Sequence, residues 1–293
     1  MYDSYYGFRE RPFSLLPDPS FLYLGHKHRI ALTMLQYGLM SNAGFTVITG
    51  EIGSGKTTLL RQILNDLGRD MTVGLITNTH QSFGELLQWV LMAFGLEYRG
   101  REKVERYESF INFVIGQYAK GKRTVLIIDE AQNLSLETLE ELRMLSNVNS
   151  DKNQVLQLIL VGQPELRAML QLPQLKQFAQ RISVSHHLDA LSSEETYQYV
   201  RHRLSVAGGD PELFSEKACA LLWYHSRGVP RVINTLCDMA LVYGYAAQQK
   251  RIDVELVKEV VRDRKKGGLF AGRDEPEEGE EAELLVDAVR KRD

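Results

Sequence analysis

The run Gly50-Glu51-Ile52-Gly53-Ser54-Gly55-Lys56-Thr57 places two glycines, a lysine and a hydroxyl residue at the spacing that cradles a phosphate. Glycines let the backbone curl so that successive N–H groups converge on phosphate oxygens. A helix that begins directly behind the loop adds partial positive charge from its N-terminus. Lys56 suits the β- and γ-phosphates of a nucleotide, the hydroxyl of Thr57 suits Mg2+, and Thr58 extends the nucleotide-binding run. The bland alternative is a glycine turn with a stray lysine. The buried strand pattern at Phe45–Thr49 and the helical pattern at Lys56–Leu67 supply the context that favours the phosphate loop.

A second cluster lies at Val125-Leu126-Ile127-Ile128-Asp129-Glu130. Four apolar residues read as a buried central strand, and the acid pair falls at its C-terminal end, where α/β sheets place ligands. Asp129 suits Mg2+, held through water, and Glu130 suits a base that polarises the attacking water. Asp129 is also the residue type that caps a helix after a strand, so the metal reading leans on the phosphate loop upstream.

Three further polar residues complete the candidate set. Gln163, after Leu158–Gly162, either orients the attacking water or hydrogen-bonds the loop. Arg181, in Gln180-Arg181-Ile182, either reaches a neighbouring subunit's γ-phosphate or makes a surface ion pair. Arg231, in Gly228-Val229-Pro230-Arg231, opens a helix where positive charge opposes the helix dipole. Such a local conflict points to an external anion; a solvated arginine is the alternative.

The elements that must carry these residues alternate. Strand patterns fall at 45–49, 71–77, 123–129, 155–161 and 181–187, and helical patterns at 26–40, 56–67, 82–95, 103–120, 135–147 and 166–178, the last broken by Pro173. Alternation of this kind predicts a parallel sheet covered on both faces, a three-layer α/β/α fold. After Leu188 the strand signal stops, and helices are predicted at 192–207, 215–226, 230–247 and 253–264. Ser192 with Glu195 forms a capping box, and Pro230 takes a first-turn position. The predicted domains are an N-terminal segment 1–44, an α/β domain 45–189, a helical domain 190–265 and a tail 266–293. That tail carries seven acids and no base over Asp274–Glu283, then a short helical pattern at 283–292.

A chain of 293 residues with 44% hydrophobic and 25% charged residues is globular and long enough to bury a core without staples. The two cysteines, Cys219 and Cys237, fit a reducing compartment and form no metal-binding spacing. No apolar run approaches the ~18–20 residues of a membrane span, and the opening lacks a signal-peptide pattern. A cytoplasmic location is expected. The net charge of −3 conceals a mildly basic body once the acid run is set aside, which decides nothing about nucleic acid.

Taken together, Gly50–Thr57, Asp129-Glu130, Gln163, Arg181 and Gly228–Arg231 resemble the motifs of AAA+ ATPases. The opening narrows the resemblance to the general secretion pathway protein A family, including the exosortase-associated and pilus-biogenesis ATPases. It carries Tyr5-Tyr6-Gly7-Phe8, Arg11-Pro12-Phe13 and Pro17–Tyr23. Asp129-Glu130-Ala131-Gln132 and Gly162-Gln163-Pro164-Glu165-Leu166 point the same way, and the likeness runs over about 2–262. It implies ATP and Mg2+ as ligands, with Lys56, Thr57, Asp129 and Glu130 as the phosphate-loop and acid-pair groups. It further implies Gln163 as first sensor, where many relatives carry Asn or Thr, Arg231 as second sensor in a helical lid, and Arg181 as a finger acting in trans. The segment before residue 44 would lie near the adenine. A ring-shaped homo-oligomer, often a hexamer, is implied, peripheral at the inner membrane through a partner protein. The secretion relatives often continue into a membrane span and a peptidoglycan-binding module that are lacking here, so direct wall contact is not expected. The function implied is assembly or export driven by ATP hydrolysis, serving a secretion, exopolysaccharide or pilus apparatus. The competing reading is a DNA-binding regulator resembling transposition target-selection ATPases; Lys152, Lys176 and Arg262–Lys266 are its few basic candidates.

Overall fold

The computed structural model describes residues 1–68, 70–77, 85–148 and 154–266. The acidic run, the helical pattern at 283–292 and the first residues of the helix expected at 82–95 lie outside the described residues. The chain divides into two compact units, a sheet unit of His26–Glu51 with Leu59–Leu188, and a helical unit of Met1–Gly25, Ile52–Thr58 and the described part of Asp189–Asp293.

Three short pieces open the helical unit: a one-turn helix α1 (Asp3–Tyr6), closed by Gly7 in the left-handed region, then irregular chain, then a 3-10 turn at Pro19–Phe21. The sheet unit begins with α2 (His26–Met40) and β1 (Phe45–Gly50), after which α3 (Lys56–Asp66) starts behind the glycine loop. Then follow β2 (Met71–Ile76), α4 (Leu86–Ala93), α5 (Lys103–Ala119), β3 (Arg123–Ile128) and, after a 3-10 turn at Ala131–Asn133, α6 (Leu136–Leu145). The unit closes with β4 (Leu156–Gly162), α7 (Pro164–Leu170), a 3-10 turn at Pro173–Leu175, α8 (Lys176–Ala179) and β5 (Ile182–Leu188).

All five strands run parallel in the order β2-β3-β4-β1-β5. The three inner strands are buried almost throughout, as a sheet covered on both faces requires. Strand alternation sorts their side chains. Leu126, Ile128, Leu158, Leu160, Phe45 and Val47 join a core with residues of α4–α8. Val125, Ile127, Ile159, Val161 and Ile48 join another with Leu35 and Leu39 of α2 and Leu60 and Ile63 of α3. The three-layer α/β/α expectation is met. The close seat of α2 depends on Gly38, where a Cβ would come within 2.3 Å of Thr46 Oγ1. The carbonyl of Leu39 at the end of α2 accepts from Gln157 Nε2 at 3.2 Å and Arg123 Nη1 at 3.0 Å, which satisfies an orphan acceptor of the last turn. The helical pattern read at 166–178 starts earlier than expected, because Pro164 fits the first helical position. Pro173 breaks it as anticipated.

The helical unit adds α9 (Ser193–Val206), α10 (Glu216–Ser226), α11 (Pro230–Ala246) and α12 (Val254–Lys266). Ser192 and Glu195 form the anticipated capping box, and Ser215 caps α10. Its core joins Tyr2, Phe8, Phe13 and Phe21 of the opening segment to Val200, Leu204, Leu222, Ile233 and Leu241. The segment 1–44 is thus divided: 1–25 belongs to the helical unit and α2 to the sheet unit. What holds 1–25 is a set of aromatic anchors and one buried arginine. Arg203, 7% exposed, donates through Nε to Pro12 O at 2.6 Å and through Nη2 to Ser14 O at 3.1 Å, with its guanidinium 4.5 Å over the Phe21 ring. A buried guanidinium needs such acceptors, so Arg203 and the two carbonyls hold each other in place. The Tyr2 hydroxyl donates to Asp238 on α11.

Candidate nucleotide site

The loop after β1 has the backbone that its glycines permit. Gly53 (φ 80°) and Gly55 (φ 99°) are both left-handed, and α3 starts at Lys56 itself. A helix N-terminus leaves four N–H groups without intrahelical partners, and here they follow directly on the glycine turn. Lys56 is 7% exposed and Ser54 1%, so two polar side chains are drawn into the fold at this point.

Arg231 belongs to the same unit as Ile52–Thr58 of the loop. It is the second residue of α11, behind Pro230, and Val229 at the N-cap offers no side-chain cap. The Arg231 N–H therefore needs an acceptor, and it donates to Gly53 O at 3.2 Å. The contact is close: a Cβ on Gly53 would come within 2.4 Å of Arg231 Cβ. The first turn of α11 is thus seated on the glycine loop at Gly53, which brings together two of the predicted site residues.

The turn that aims α11 is braced in turn. Arg227 (φ 52°) and Gly228 (φ 73°) are both left-handed. Leu191 N–H donates to Gly228 O at 2.9 Å, and Trp223 Nε1 donates to Leu191 O at 3.0 Å. Only glycine fits, because a Cβ on Gly228 would lie 2.0 Å from Leu191 O.

The acid pair follows β3 in the sheet unit. Asp129 is 5% exposed, and its Oδ1 accepts the Glu130 N–H at 2.9 Å. Glu130 itself is left-handed (φ 53°), an uncommon conformation for a residue with a side chain. Its Oε2 accepts from Gln132 Nε2 at 2.6 Å and from Gln163 Nε2 at 3.1 Å. The Gln163 N–H donates to Gln132 Oε1 at 3.0 Å. Gln163 sits at the N-cap of α7 but makes no side-chain cap, since its amide is turned to Glu130. The Gln163 side chain thus bonds the carboxylate of the acid pair, a contact that leaves both roles considered for it open.

Arg181 lies one residue before β5. It donates from Nη1 to Ser146 Oγ at 3.0 Å and Arg143 O at 3.4 Å, at the C-terminal end of α6. These partners are a hydroxyl and a carbonyl, so Arg181 makes no ion pair among the described residues, and a cation at a helix C-terminus is favourably placed. The structure does not bring Arg181 together with Glu130 or Gln163.

Two sets of contacts were not expected from the sequence, those of Gln132, which there carried only the resemblance, and that of Thr49 with His187. Gln132 has a distinct signal, an amide two residues after the acid pair. Thr49 Oγ1 and His187 Nδ1, paired at 2.9 Å on adjacent ends of β1 and β5, have none, since only the strand register joins them.

Thr57 in the helical unit and Asp129 in the sheet unit each carry the oxygen chemistry that a hard cation such as Mg2+ takes. The described residues contain no cluster of three or more His, Cys, Asp or Glu able to hold a metal.

Comparison with known proteins agrees with this geometry. An AAA domain family matches residues 39–170. General secretion pathway protein A of Aeromonas hydrophila is 40% identical over 253 residues, covering 86% of this chain and 46% of that protein. The chain thus spans about half the length of that relative. Among solved structures, Aeropyrum pernix ORC2 in ADPNP–ADP complexes matches with a TM-score of 0.63 at 20% identity, over 87% of this chain and 72% of that one. Pyrobaculum aerophilum Cdc6p matches at 0.64 with 16% identity, over 88% and 71%. The Thermotoga maritima RuvB Holliday junction branch migration motor matches at 0.54 with 17% identity, over 86% and 72%. At these identities the structures speak for the fold alone. The chain has the P-loop AAA+ fold, carries an AAA domain, and is a relative of General secretion pathway protein A.

Proposed function

We propose that this protein binds ATP on residues 50–58 and hydrolyses it. The observation that carries the reading is the seat of Arg231 on Gly53, which places a cation-bearing helix start directly against a left-handed glycine loop. Gly50, Glu51, Ile52, Gly53, Ser54, Gly55, Lys56, Thr57 and Thr58 hold the phosphates through main-chain amides and the Lys56 ammonium. Thr57 and Asp129 hold Mg2+, which when bound neutralises phosphate charge. Glu130 takes a proton from water as the water oxygen bonds to the γ-phosphorus and the bond to the β–γ bridging oxygen breaks. Gln163 orients that water together with Glu130. Residues 190–265 act as a lid, and Arg231 reports the γ-phosphate to it.

The relationship to General secretion pathway protein A supports a place in assembly of a secretion, exopolysaccharide-export or pilus apparatus. The protein would act as a homo-oligomeric ring, a hexamer by analogy, through an inner-membrane partner. No helix among the described residues is long and apolar enough to cross a membrane. In the ring Arg181 would exchange Ser146 for the neighbour's γ-phosphate.

The test is a pair of variants. Lys56→Ala abolishes or nearly abolishes nucleotide binding, whereas Glu130→Gln binds ATP, stalls turnover and accumulates as a ring in sedimentation. Parent-rate hydrolysis by Lys56→Ala would refute the site. For the client, an ATPase rate indifferent to any membrane protein encoded beside the gene counts against the assembly role. A salt-sensitive shift of duplex DNA with ATP would redirect it to nucleic acid.

A further inference from the structure

The network around Glu130 has one member with no role in the chemistry so far. Gln132 contacts both other members at once, donating from Nε2 to Glu130 Oε2 at 2.6 Å and accepting at Oε1 from the Gln163 N–H at 3.0 Å. A single planar amide therefore spans from the carboxylate to the main chain where β4 passes into α7. The last residue of β4, Gly162, leaves room for it, since a Cβ there would lie 2.9 Å from Gln132 Oε1.

The arrangement answers a mechanical need. A glutamate side chain has three rotatable bonds, and a base must be held to a fraction of an ångström to act on a bound water. Glu130 also sits on a left-handed backbone inside a turn, not in a regular element. Gln163 contributes a longer second donor to the same oxygen, at 3.1 Å. Gln163 is also the residue whose side chain must serve the attacking water, so it cannot be the fixed reference. The main-chain N–H of Gln163 can be, because it is set by the end of a buried strand.

Resting on the reading of Glu130 as base, we propose that Gln132 is a positioning residue for ATP hydrolysis, clamping the Glu130 carboxylate to the main chain at the start of α7. The side chain must offer one donor and one acceptor at glutamine's reach. Asparagine, one methylene shorter, cannot span both partners, and glutamate removes the donor and places a carboxylate against a carboxylate.

The experiment compares Gln132→Ala in the parent and in the Glu130→Gln background, reading single-turnover hydrolysis, equilibrium ATP affinity and thermal midpoint. In the parent, Gln132→Ala lowers the hydrolysis rate about 10- to 100-fold, the range typical of a lost orienting partner, with ATP affinity within about 2-fold. In the Glu130→Gln background the same change adds less than about 2-fold, because the group it positions is gone. Gln132→Asn does not restore the rate. If Gln132→Ala lowers the thermal midpoint, Gln132→Met, of similar volume without the amide, replaces it. A parent rate in these variants, or an equal loss in both backgrounds, overturns the clamp while leaving Glu130 as base. Parent-rate turnover by Glu130→Gln alone overturns the base assignment and the clamp with it.

Discussion

Replacing Gly228 with alanine tests the brace behind Arg231 with a magnitude set by geometry. At φ 73° a residue with a Cβ pays about 1–2 kcal/mol for the left-handed backbone. The new methyl would also lie 2.0 Å from Leu191 O, so the turn and the chain at 191 must part. Parting them breaks Leu191 N–H to Gly228 O and Trp223 Nε1 to Leu191 O, each contributing about 1 kcal/mol. The expected loss is therefore about 3–4 kcal/mol. Gly7 supplies the control in the same unit, since it has φ 77° and a Cβ there would meet nothing within 4 Å, so Gly7→Ala should cost only the backbone share. Urea unfolding in a Trp89→Phe background, where Trp223 is the remaining tryptophan, reports the helical unit. Equal losses for Gly228→Ala and Gly7→Ala would refute the claim that contact with Leu191 makes this glycine necessary.

Two further outcomes follow from buried groups in the same unit. Burial, aided by Tyr5, pushes the Tyr6 hydroxyl up to about 12, and burial with Asp238 raises Tyr2 further. Because the folded state prefers both neutral, their contribution is intact below pH ~10 and is lost as pH rises towards 12. The urea midpoint should fall through that window, and fall less in Tyr6→Phe; a flat profile in the parent contradicts this. Cys219 and Cys237 are buried in the core of the helical unit, and burial raises both thiols well above their ordinary range. A thiol reagent at neutral pH should label neither until the unit opens, so labelling should track the Trp223 signal in urea; rapid labelling of the native protein would contradict the packing.

The parts of the site that were legible in the sequence are those whose geometry is local. Gly53, Gly55 and Lys56 sit within one turn, so their spacing alone dictates a curled loop and a helix start. Arg231 stands out in the sequence because it breaks a local rule, whereas its contact with Gly53 O is made by the main-chain N–H and does not depend on the side chain. The link between Gln132 and Glu130 was not legible. It requires a left-handed Glu130, which no residue type announces, and it is fixed through Gln163 by the pairing of β3 with β4. Arg181 gave no hint of Ser146, because that contact depends on how α6 packs. The opening 25 residues read as irregular for a related reason: Arg203, far along the chain, holds Pro12 and Ser14, and such an anchor leaves no periodicity.

On the proposed function, the loop around Gly53, with Lys56, captures ATP. Equilibrium binding of a fluorescent ATP analogue to the parent and to Lys56→Ala tests it most directly, with the thermal midpoint confirming that both are folded. Loss of the ammonium proposed to face two phosphates should weaken binding at least about 100-fold, on the scale of a charge-assisted contact removed from a buried site. Equal affinity of the two proteins would contradict the account.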